Sequence, residues 1–301
     1  MSGRDIHEGA TGRISCERMM VGVRDGARLS VRHYRRENAR RRGAAPVLCV
    51  PPETGHGAQH HAFLLELLDA ALAPTEAWAV DLRGRGTSSA KDVADTDLST
   101  DVADLVDVAD ALALHHADIV ADGFSVVTVL KALLPRPGLV RRLVMNDGAP
   151  ELDGVARAHR AMLMNRESGP TSRADALALL RRTQDGFTIE DDGFWNEMLD
   201  RGWHEAGKYW LPAHDIALER TTNATDFDEA QPDGWKELGI LKDRPALLVR
   251  GEGSRHVSDA IVARMQGVLR DLRVETAPDQ GHVPMLDRGA LPNTIRSFLT
   301  A

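Results

Sequence analysis

Apolar residues recur along the chain in short runs that alternate with amphipathic segments. Runs near 46–50, 77–82, 117–121 and 139–147 predict buried strands. The segments 62–72, 97–114 and 126–134 between them have helical spacing. Before these, 19–23 and 28–34 predict two strands joined at the turn Asp25-Gly26. Strand and helix in alternation indicate an α/β fold, with a mostly parallel sheet covered by helices on both faces.

The alternation stops over residues 151–238, which are helical, rich in loops and contain four of the five tryptophans. Strand signals return at 246–250 and 273–277, and helical spacing covers 257–269 and 291–299. A structureless loop of this length is improbable, so the pattern predicts a helical cap inserted after the sixth predicted strand. The expected organisation is a core of residues 15–150 and 239–301, a cap of 151–238, and a disordered segment at 1–14.

Composition narrows the functional classes. A net charge of -8 over 301 residues, without a basic block, argues against nucleic acid and against anionic membrane surfaces as partners. Two cysteines do not make a disulfide framework, and the sequence has neither an export segment nor a long apolar run. We therefore expect a cytoplasmic protein, with homodimerisation as a further expectation. The aromatic residues of the inserted segment 151–238 favour a small hydrophobic molecule as its partner. No Gly-rich nucleotide fingerprint occurs, and no cofactor or metal is expected.

Short polar or glycine-containing motifs follow successive predicted strands. They are Val47–Thr54, Asp81–Ser88, Asp122–Val127, Asn146–Pro150, Arg250–Glu252 and Gln280–Pro284. In this order, across about residues 18–300, the set resembles the α/β-hydrolase superfamily. It is most similar to the cap-bearing group of meta-cleavage-product hydrolases, epoxide hydrolases and small esterases. The resemblance implies an enzyme with an α/β-hydrolase fold and a cap over its pocket.

The resemblance places a nucleophile at Ser125 and its base at His282. Ser125 falls where a strand turns sharply into a helix, and such an elbow presents a serine hydroxyl above the sheet. Val127 replaces the second glycine of the usual Gly-x-Ser-x-Gly pattern. A serine that only caps the helix is the alternative. His282 lies in a Gly-His-x-Pro turn, as the catalytic histidine of this superfamily does.

The acid of the implied triad is missing from its usual place, where Ser254 or Arg255 stands instead. Asp147, at the end of the strand 139–147, is the first substitute, because some members of the superfamily take their acid from that strand. Its alternative role is to cap a loop. Glu252 and Asp279 are weaker candidates. The triad is therefore predicted to be degenerate.

The oxyanion loop also departs from the family pattern. Pro52 takes the place of a glycine and Glu53 that of the N–H donor. The backbone N–H groups of Glu53 and Val126, with Phe124 beside them, are the expected oxyanion and substrate-binding groups. The Glu53 carboxylate itself either points to solvent or enters the site, where a raised pKa would suit proton transfer.

Five further polar residues have simpler interpretations. His56, His60 and His61 lack acidic or thiol companions at metal-binding spacing, and Arg83 and Arg85 are expected to brace their loop.

Three functions remain open from the sequence. The favoured one is non-hydrolytic proton transfer on a carbonyl-bearing metabolite, as in a cyclase, lyase or isomerase, with His282 as base and Ser125 as hydrogen-bond donor. The second is an ester, thioester or carbon–carbon bond hydrolase with Ser125 as nucleophile and Asp147 as acid. The third is a ligand-binding pseudoenzyme.

Overall fold

The computed structural model describes residues 4–37, 45–70, 73–90, 97–164, 171–184, 186–214 and 233–301. The strands are β1 Arg4–Gly9, β2 Gly12–Gly22, β3 Arg28–Arg36, β4 Val47–Val50, β5 Glu76–Val80, β6 Ala117–Asp122, β7 Val140–Asn146, β8 Trp203–Ala206, β9 Tyr209–Pro212, β10 Ala246–Gly251 and β11 Leu272–Ala277. The α-helices are α1 His61–Leu68, α2 Leu98–Ala111, α3 Ser125–Ala132, α4 Gly154–Met164, α5 Arg173–Thr183, α6 Asp192–Gly202, α7 Trp235–Leu238, α8 Asp259–Val268 and α9 Leu291–Thr300. None of the helices described is long and apolar enough to cross a membrane.

Nine strands form one sheet in the order β1-β2-β3-β5-β4-β6-β7-β10-β11. Within this sheet, neighbouring strands among β5, β4, β6, β7, β10 and β11 pair in parallel, while β1, β2 and β3 add antiparallel strands at one edge. The predicted α/β fold class is confirmed. Since the carboxyl ends of the parallel strands meet at one edge, the loops that follow them converge there.

Two apolar cores lie on opposite faces of this sheet. In β4 the side chains of Leu48 and Val50 join the core beneath α2, α3 and α8, whereas Val47 and Cys49 join the core beneath α1 and α9. This alternation follows from the two-residue period of a strand. All four side chains are fully buried, which explains why the strand was predicted from a continuous apolar run.

The prediction of disorder over residues 1–14 is wrong for residues 4–14, which form β1 and the start of β2. Strand β1 pairs with β2 along its whole length, and the Asp69 carboxylate accepts the N–H groups of Ala10 and Thr11 in the turn between them. Most side chains of β1 are exposed, so the strand carries no apolar pattern. Backbone hydrogen bonds at the sheet edge hold this strand, and a hydropathy pattern does not reveal them.

The inserted segment carries helices α4, α5 and α6 and a hairpin of β8 and β9. Its described aromatic residues pack largely against one another: Phe187 and Trp210 flank a buried cluster that includes Phe194, Trp195 and Trp203. The insertion follows the seventh strand, because β1 adds one strand that the sequence did not predict. The aromatic residues of the insertion therefore form a small core of their own.

Two glycines meet at the turn between β6 and α3. Gly123 has φ +52, and a β-carbon at Gly148 would lie 2.2 Å from the Gly123 carbonyl oxygen. Glycine reaches this φ without steric cost, and only a residue without a side chain fits the opposite position. The loop after β7 is thereby held against the end of β6.

Replacing Gly148 by alanine should destabilise the fold by roughly 1–3 kcal/mol, because the added methyl group forces this contact apart. The control is Gly267→Ala, since Gly267 lies in α8 with open space around its α-carbon. That control should be neutral or stabilising by less than about 1 kcal/mol. Urea unfolding of both variants measures the difference, and equal stabilities would contradict the close packing at Gly148.

Candidate active site

The sharp turn that the sequence placed at Ser125 lies instead at Gly123. Strand β6 ends at Asp122, the Gly123 N–H donates to the Asn146 carbonyl at 2.9 Å, and helix α3 begins at Ser125. The left-handed φ of Gly123 is the elbow conformation. The elbow therefore lies two residues earlier than the sequence predicted. The small residues Ala121 and Ser125 stand two positions before and after Gly123, where the family pattern usually has glycines.

Ser125 is not placed to act as the nucleophile. Its side chain is buried, and its hydroxyl donates to the Pro51 carbonyl at 2.6 Å. It does not line the cavity that contains His282. Because Ser125 belongs to the first turn of α3, its hydroxyl ties that helix to the loop after β4. The sequence prediction of a nucleophile at Ser125 is therefore corrected to a structural role.

His282 faces the elbow at Gly123. A β-carbon on Gly123 would lie 3.2 Å from Cε1 and 3.3 Å from Nε2 of His282. Nδ1 of the same ring is 2.8 Å from Oδ2 of Asp147. The imidazole is therefore oriented by a carboxylate on one side and presents its other nitrogen to the position that a nucleophile would occupy.

Among the carboxylates that the sequence offered as the acid, Asp147 is the one that contacts His282. It is buried, and its carboxylate also accepts the Ser254 hydroxyl at 2.5 Å and the Gly251 N–H at 3.2 Å. Ser254, at the usual place of the acid, thus supports the substitute. The loop-capping alternative is also partly right, since the Gly251 contact holds the end of β10. Glu252 and Asp279 are exposed, and the Glu252 carboxylate accepts the Asp279 N–H at 2.9 Å.

Glu53 enters the site but pairs with a cap residue. Its two carboxylate oxygens accept from the Arg160 guanidinium at 2.6 and 2.7 Å. Burial would raise the pKa of the Glu53 carboxyl, but the charge and hydrogen bonds of Arg160 outweigh it and hold the pKa below its ordinary value. The expectation of a raised pKa at Glu53 is therefore wrong, and the carboxylate is an ion-pair partner.

The predicted oxyanion donors shift with the elbow. The Val126 N–H is occupied by the Gly123 carbonyl at 3.2 Å, so it is not free to bind a substrate oxygen. In the observed frame the residue after the elbow is Phe124, whose ring lies 4.6 Å below the Arg160 guanidinium. Phe124 and Glu53 both line the cavity. These two residues, and not Val126, flank the position where an oxyanion would form.

The cavity measures about 190 Å³ and is lined by both the sheet edge and the inserted segment. The insertion contributes His159, Arg160, Gln184 and Arg201 beside three apolar side chains, so its wall of the cavity is mixed. None of the described aromatic residues of the insertion lines it. In the part of the chain that the structure describes, the aromatic side chains of the insertion therefore pack away from the cavity.

The three histidines after the oxyanion loop have three different partners. His56 Nε2 bonds the Arg201 carbonyl at 2.8 Å, and His61 Nδ1 bonds the Tyr34 hydroxyl at 3.0 Å. His60 Nε2 lies 2.9 Å from Oδ2 of Asp122. Among the described residues, no group of three or more histidine, cysteine or acidic side chains could hold a metal ion.

Arg83 and Arg85 brace their loop, as predicted. Arg83 pairs with Asp104 at 2.7 Å, and Arg85 pairs with Asp101 at 3.1 Å. Arg85 also donates to the Glu53 carbonyl at 2.8 Å, which fixes the backbone of the oxyanion loop.

His256 is a residue that sequence reasoning missed. Its ring lies parallel to that of His282, with centroids 3.6 Å apart and 3° between the planes. Burial, reinforced by the positive charge that His282 and other basic neighbours can carry, lowers the pKa of His256 to about 2. The sequence offered only a histidine one residue after Arg255, in a loop whose fold hydropathy does not predict.

The lowered pKa of His256 predicts a pH dependence of stability. Below about pH 6.5 the unfolded chain protonates this histidine while the folded chain does not. The free energy of unfolding therefore decreases as the pH is lowered, down to about pH 2. One such group contributes up to about 1.4 kcal/mol per pH unit. His256→Phe keeps a ring in place and removes the proton uptake, so its stability should fall less steeply in acid.

Urea unfolding at several pH values between about 6 and 4 measures these slopes. His115→Gln is the control, since His115 is exposed to solvent in the folded chain. Parallel pH profiles for the wild type and His256→Phe would contradict a buried neutral imidazole.

Comparison with known structures supports the fold. The chain is similar in structure to an alpha/beta hydrolase from Novosphingobium aromaticivorans, with 22% identity and a TM-score of 0.80 over 94% of this chain and 98% of that one. It is also similar to E-2-(acetamidomethylene)succinate hydrolase, with 21% identity and a TM-score of 0.75 over 95% and 100%. The enol-lactonase from Burkholderia xenovorans has 18% identity and a TM-score of 0.70 over 94% and 100%.

A search of curated proteins finds no sequence match. The structural similarities share identities below 25% and establish the fold. The sequence model described as the alpha/beta hydrolase family matches residues 47–291, which is most of the chain. With the parallel sheet, the elbow after β6 and the histidine facing it, this match shows that the chain belongs to the alpha/beta hydrolase family.

Proposed function

We propose that the protein is an enzyme that works without a covalent intermediate, with His282 as a general base for a small carbonyl-bearing substrate. The observation that carries the proposal is the glycine at the elbow: His282 Nε2 lies 3.3 Å from a β-carbon position at Gly123 that has no side chain. A histidine so placed has no hydroxyl to activate and can act on the substrate itself.

His282 Nδ1 donates to Asp147, which leaves Nε2 unprotonated and able to accept a proton. The proposed step removes a proton from the carbon next to the substrate carbonyl. The electron pair of the C–H bond forms a carbon–carbon double bond, and the carbonyl π electrons move to oxygen. Asp147 stabilises the imidazolium that results, as the acid does in a triad.

The negative oxygen needs hydrogen-bond donors, and the backbone N–H groups of Phe124 and Glu53 are the proposed pair. Phe124 lies at the amino end of α3, where the helix dipole favours negative charge. The Glu53 carboxylate would oppose that charge if it were unpaired. Arg160 neutralises it, so the ion pair makes the oxyanion position usable.

What happens to the carbanion and to the abstracted proton decides among the reaction classes that the sequence favoured. Return of the proton to another carbon is an isomerisation, and loss of a group next to the carbanion is a lyase reaction. Attack of the carbanion on a second carbonyl of the same molecule is a cyclisation. All three use the same base. The mixed cap wall supports a small substrate with an apolar body and oxygen or nitrogen functions, in line with the carbonyl-bearing metabolite expected from the sequence.

Direct hydrolysis by a water molecule that His282 activates is the second candidate. The absence of a hydroxyl at Gly123 supports it, because water is then the nucleophile that His282 can activate. The names of two similar structures, an enol-lactonase and a succinate-derivative hydrolase, also favour it. This route shares the base with the first candidate and likewise forms no acyl-enzyme.

The first test separates His282 from Ser125. The probe is 5-nitrobenzisoxazole, which releases a coloured phenoxide when a base removes its C3 proton and the N–O bond breaks. His282→Ala should lower the protein-catalysed rate by about 10²-fold or more, whereas Ser125→Ala should change it less than about threefold. Ser125→Ala should instead cost about 1 kcal/mol of stability through the lost Pro51 contact.

A fluorophosphonate probe should leave Ser125 of the wild type unlabelled under the same conditions. Rapid labelling at Ser125, together with loss of activity in Ser125→Ala, would overturn the proposal. Ligand binding without any His282-dependent rate on the probe would favour the pseudoenzyme.

The second test separates the two carboxylates. Asp147→Asn should lower the rate on 5-nitrobenzisoxazole by about 10²–10⁴-fold, because the amide favours the wrong imidazole tautomer. Glu53→Gln is the matched control, and it should keep at least about a tenth of the rate because Glu53 does not contact His282. A larger loss from Glu53→Gln than from Asp147→Asn would contradict the assignment of Asp147 as the orienting acid.

A further inference from the structure

His256 lies in the loop after β10, against the face of the proposed base. The two imidazole rings are parallel at 3.6 Å, and the ring of His159 stands edge-on to His256 at 4.7 Å. The backbone N–H of His256 donates to the Ser254 hydroxyl at 3.2 Å, and the same hydroxyl donates to the Asp147 carboxylate. The loop that supports the acid therefore also fixes His256 beside the base.

The His256 side chain is 95% buried, and the residue lines the cavity. Its Nε2 has no hydrogen-bond partner among the residues that the structure describes. Buried polar atoms are normally paired, so an unpaired nitrogen on a residue that lines a cavity indicates a partner that arrives with the ligand. A residue that served only to stack on His282 would not need a nitrogen at this position.

Charge favours a donor role for this nitrogen. His282 becomes positive when it accepts a proton, and a second imidazolium stacked at 3.6 Å would be strongly disfavoured. His256 therefore stays neutral during the reaction. A neutral imidazole has one N–H to donate, and such a group can polarise a carbonyl without transferring its proton.

We propose that His256 is a second catalytic histidine, whose Nε2–H donates a hydrogen bond to the substrate oxygen that becomes negative when His282 removes a proton. This inference rests on the proposed function. In the step, His282 gains the proton, the electron pair ends on the oxygen, and His256 keeps its hydrogen. Because the two rings are stacked against each other, the site selects substrates in which the acidic C–H group lies next to the carbonyl that activates it, such as an enolisable ketone or acyl group.

Two substitutions separate hydrogen bonding from stacking. His256→Phe keeps an aromatic ring against His282 and removes the nitrogen, whereas His256→Gln removes the ring and retains an N–H at a comparable reach. The probes are 5-nitrobenzisoxazole and unsubstituted benzisoxazole, whose leaving oxygen carries more charge and so depends more on a donor. His282→Ala is measured beside them to identify the rate that depends on the base.

His256→Phe should lower the His282-dependent rate roughly tenfold on 5-nitrobenzisoxazole and more on the unsubstituted probe, and His256→Gln should recover part of each loss. Wild-type rates in His256→Phe, or equal losses in both variants with no dependence on the leaving group, would overturn the donor role while leaving the base intact. Absence of any His282-dependent rate in the wild type would overturn the proposed function and this inference with it.

Discussion

The left-handed turn at Gly123 is the constraint on which the site depends. Strand β6 must end and helix α3 must begin within two residues, and Gly123 reaches the required φ without steric cost. Gly148 packs on the Gly123 carbonyl, which brings the end of β7 and its Asp147 to the same edge. The absence of a side chain at Gly123 then leaves no nucleophile opposite His282, whose ring lies close to this glycine.

Buried charge around this turn is paired throughout the described site. Asp147 is shared by His282 and Ser254, while Glu53 is neutralised by Arg160 from the cap helix α4. Removing one partner of such a pair would leave the other uncompensated, so these contacts fix the relative positions of sheet edge and cap. Preorganised charges of this kind favour proton transfer, because nothing must reorient when the imidazolium forms.

The sequence predicted the sheet, its helices and a histidine at position 282 in the site, because apolar periodicity and the order of motifs carry that information. It left open which carboxylate, Asp147 or Glu53 among others, pairs with His282. It misplaced the elbow, because a serine two residues after a glycine matches half of a familiar pattern. The small residues Ala121 and Ser125 on either side of Gly123 were the available signal. The pairing of Glu53 with Arg160 and the stacking of His256 depend on contacts distant in sequence, which no local pattern encodes.

The most direct measurement is whether a serine at the elbow creates a nucleophile. In Gly123→Ser the new β-carbon would lie 3.2–3.3 Å from the His282 ring, which needs to move by only a few tenths of an ångström. With p-nitrophenyl acetate, we expect a burst of about one nitrophenolate per chain in this variant and none in the wild type. A stoichiometric burst in the wild type that disappears in Ser125→Ala would contradict this expectation, as would a well-folded Gly123→Ser protein that shows no burst.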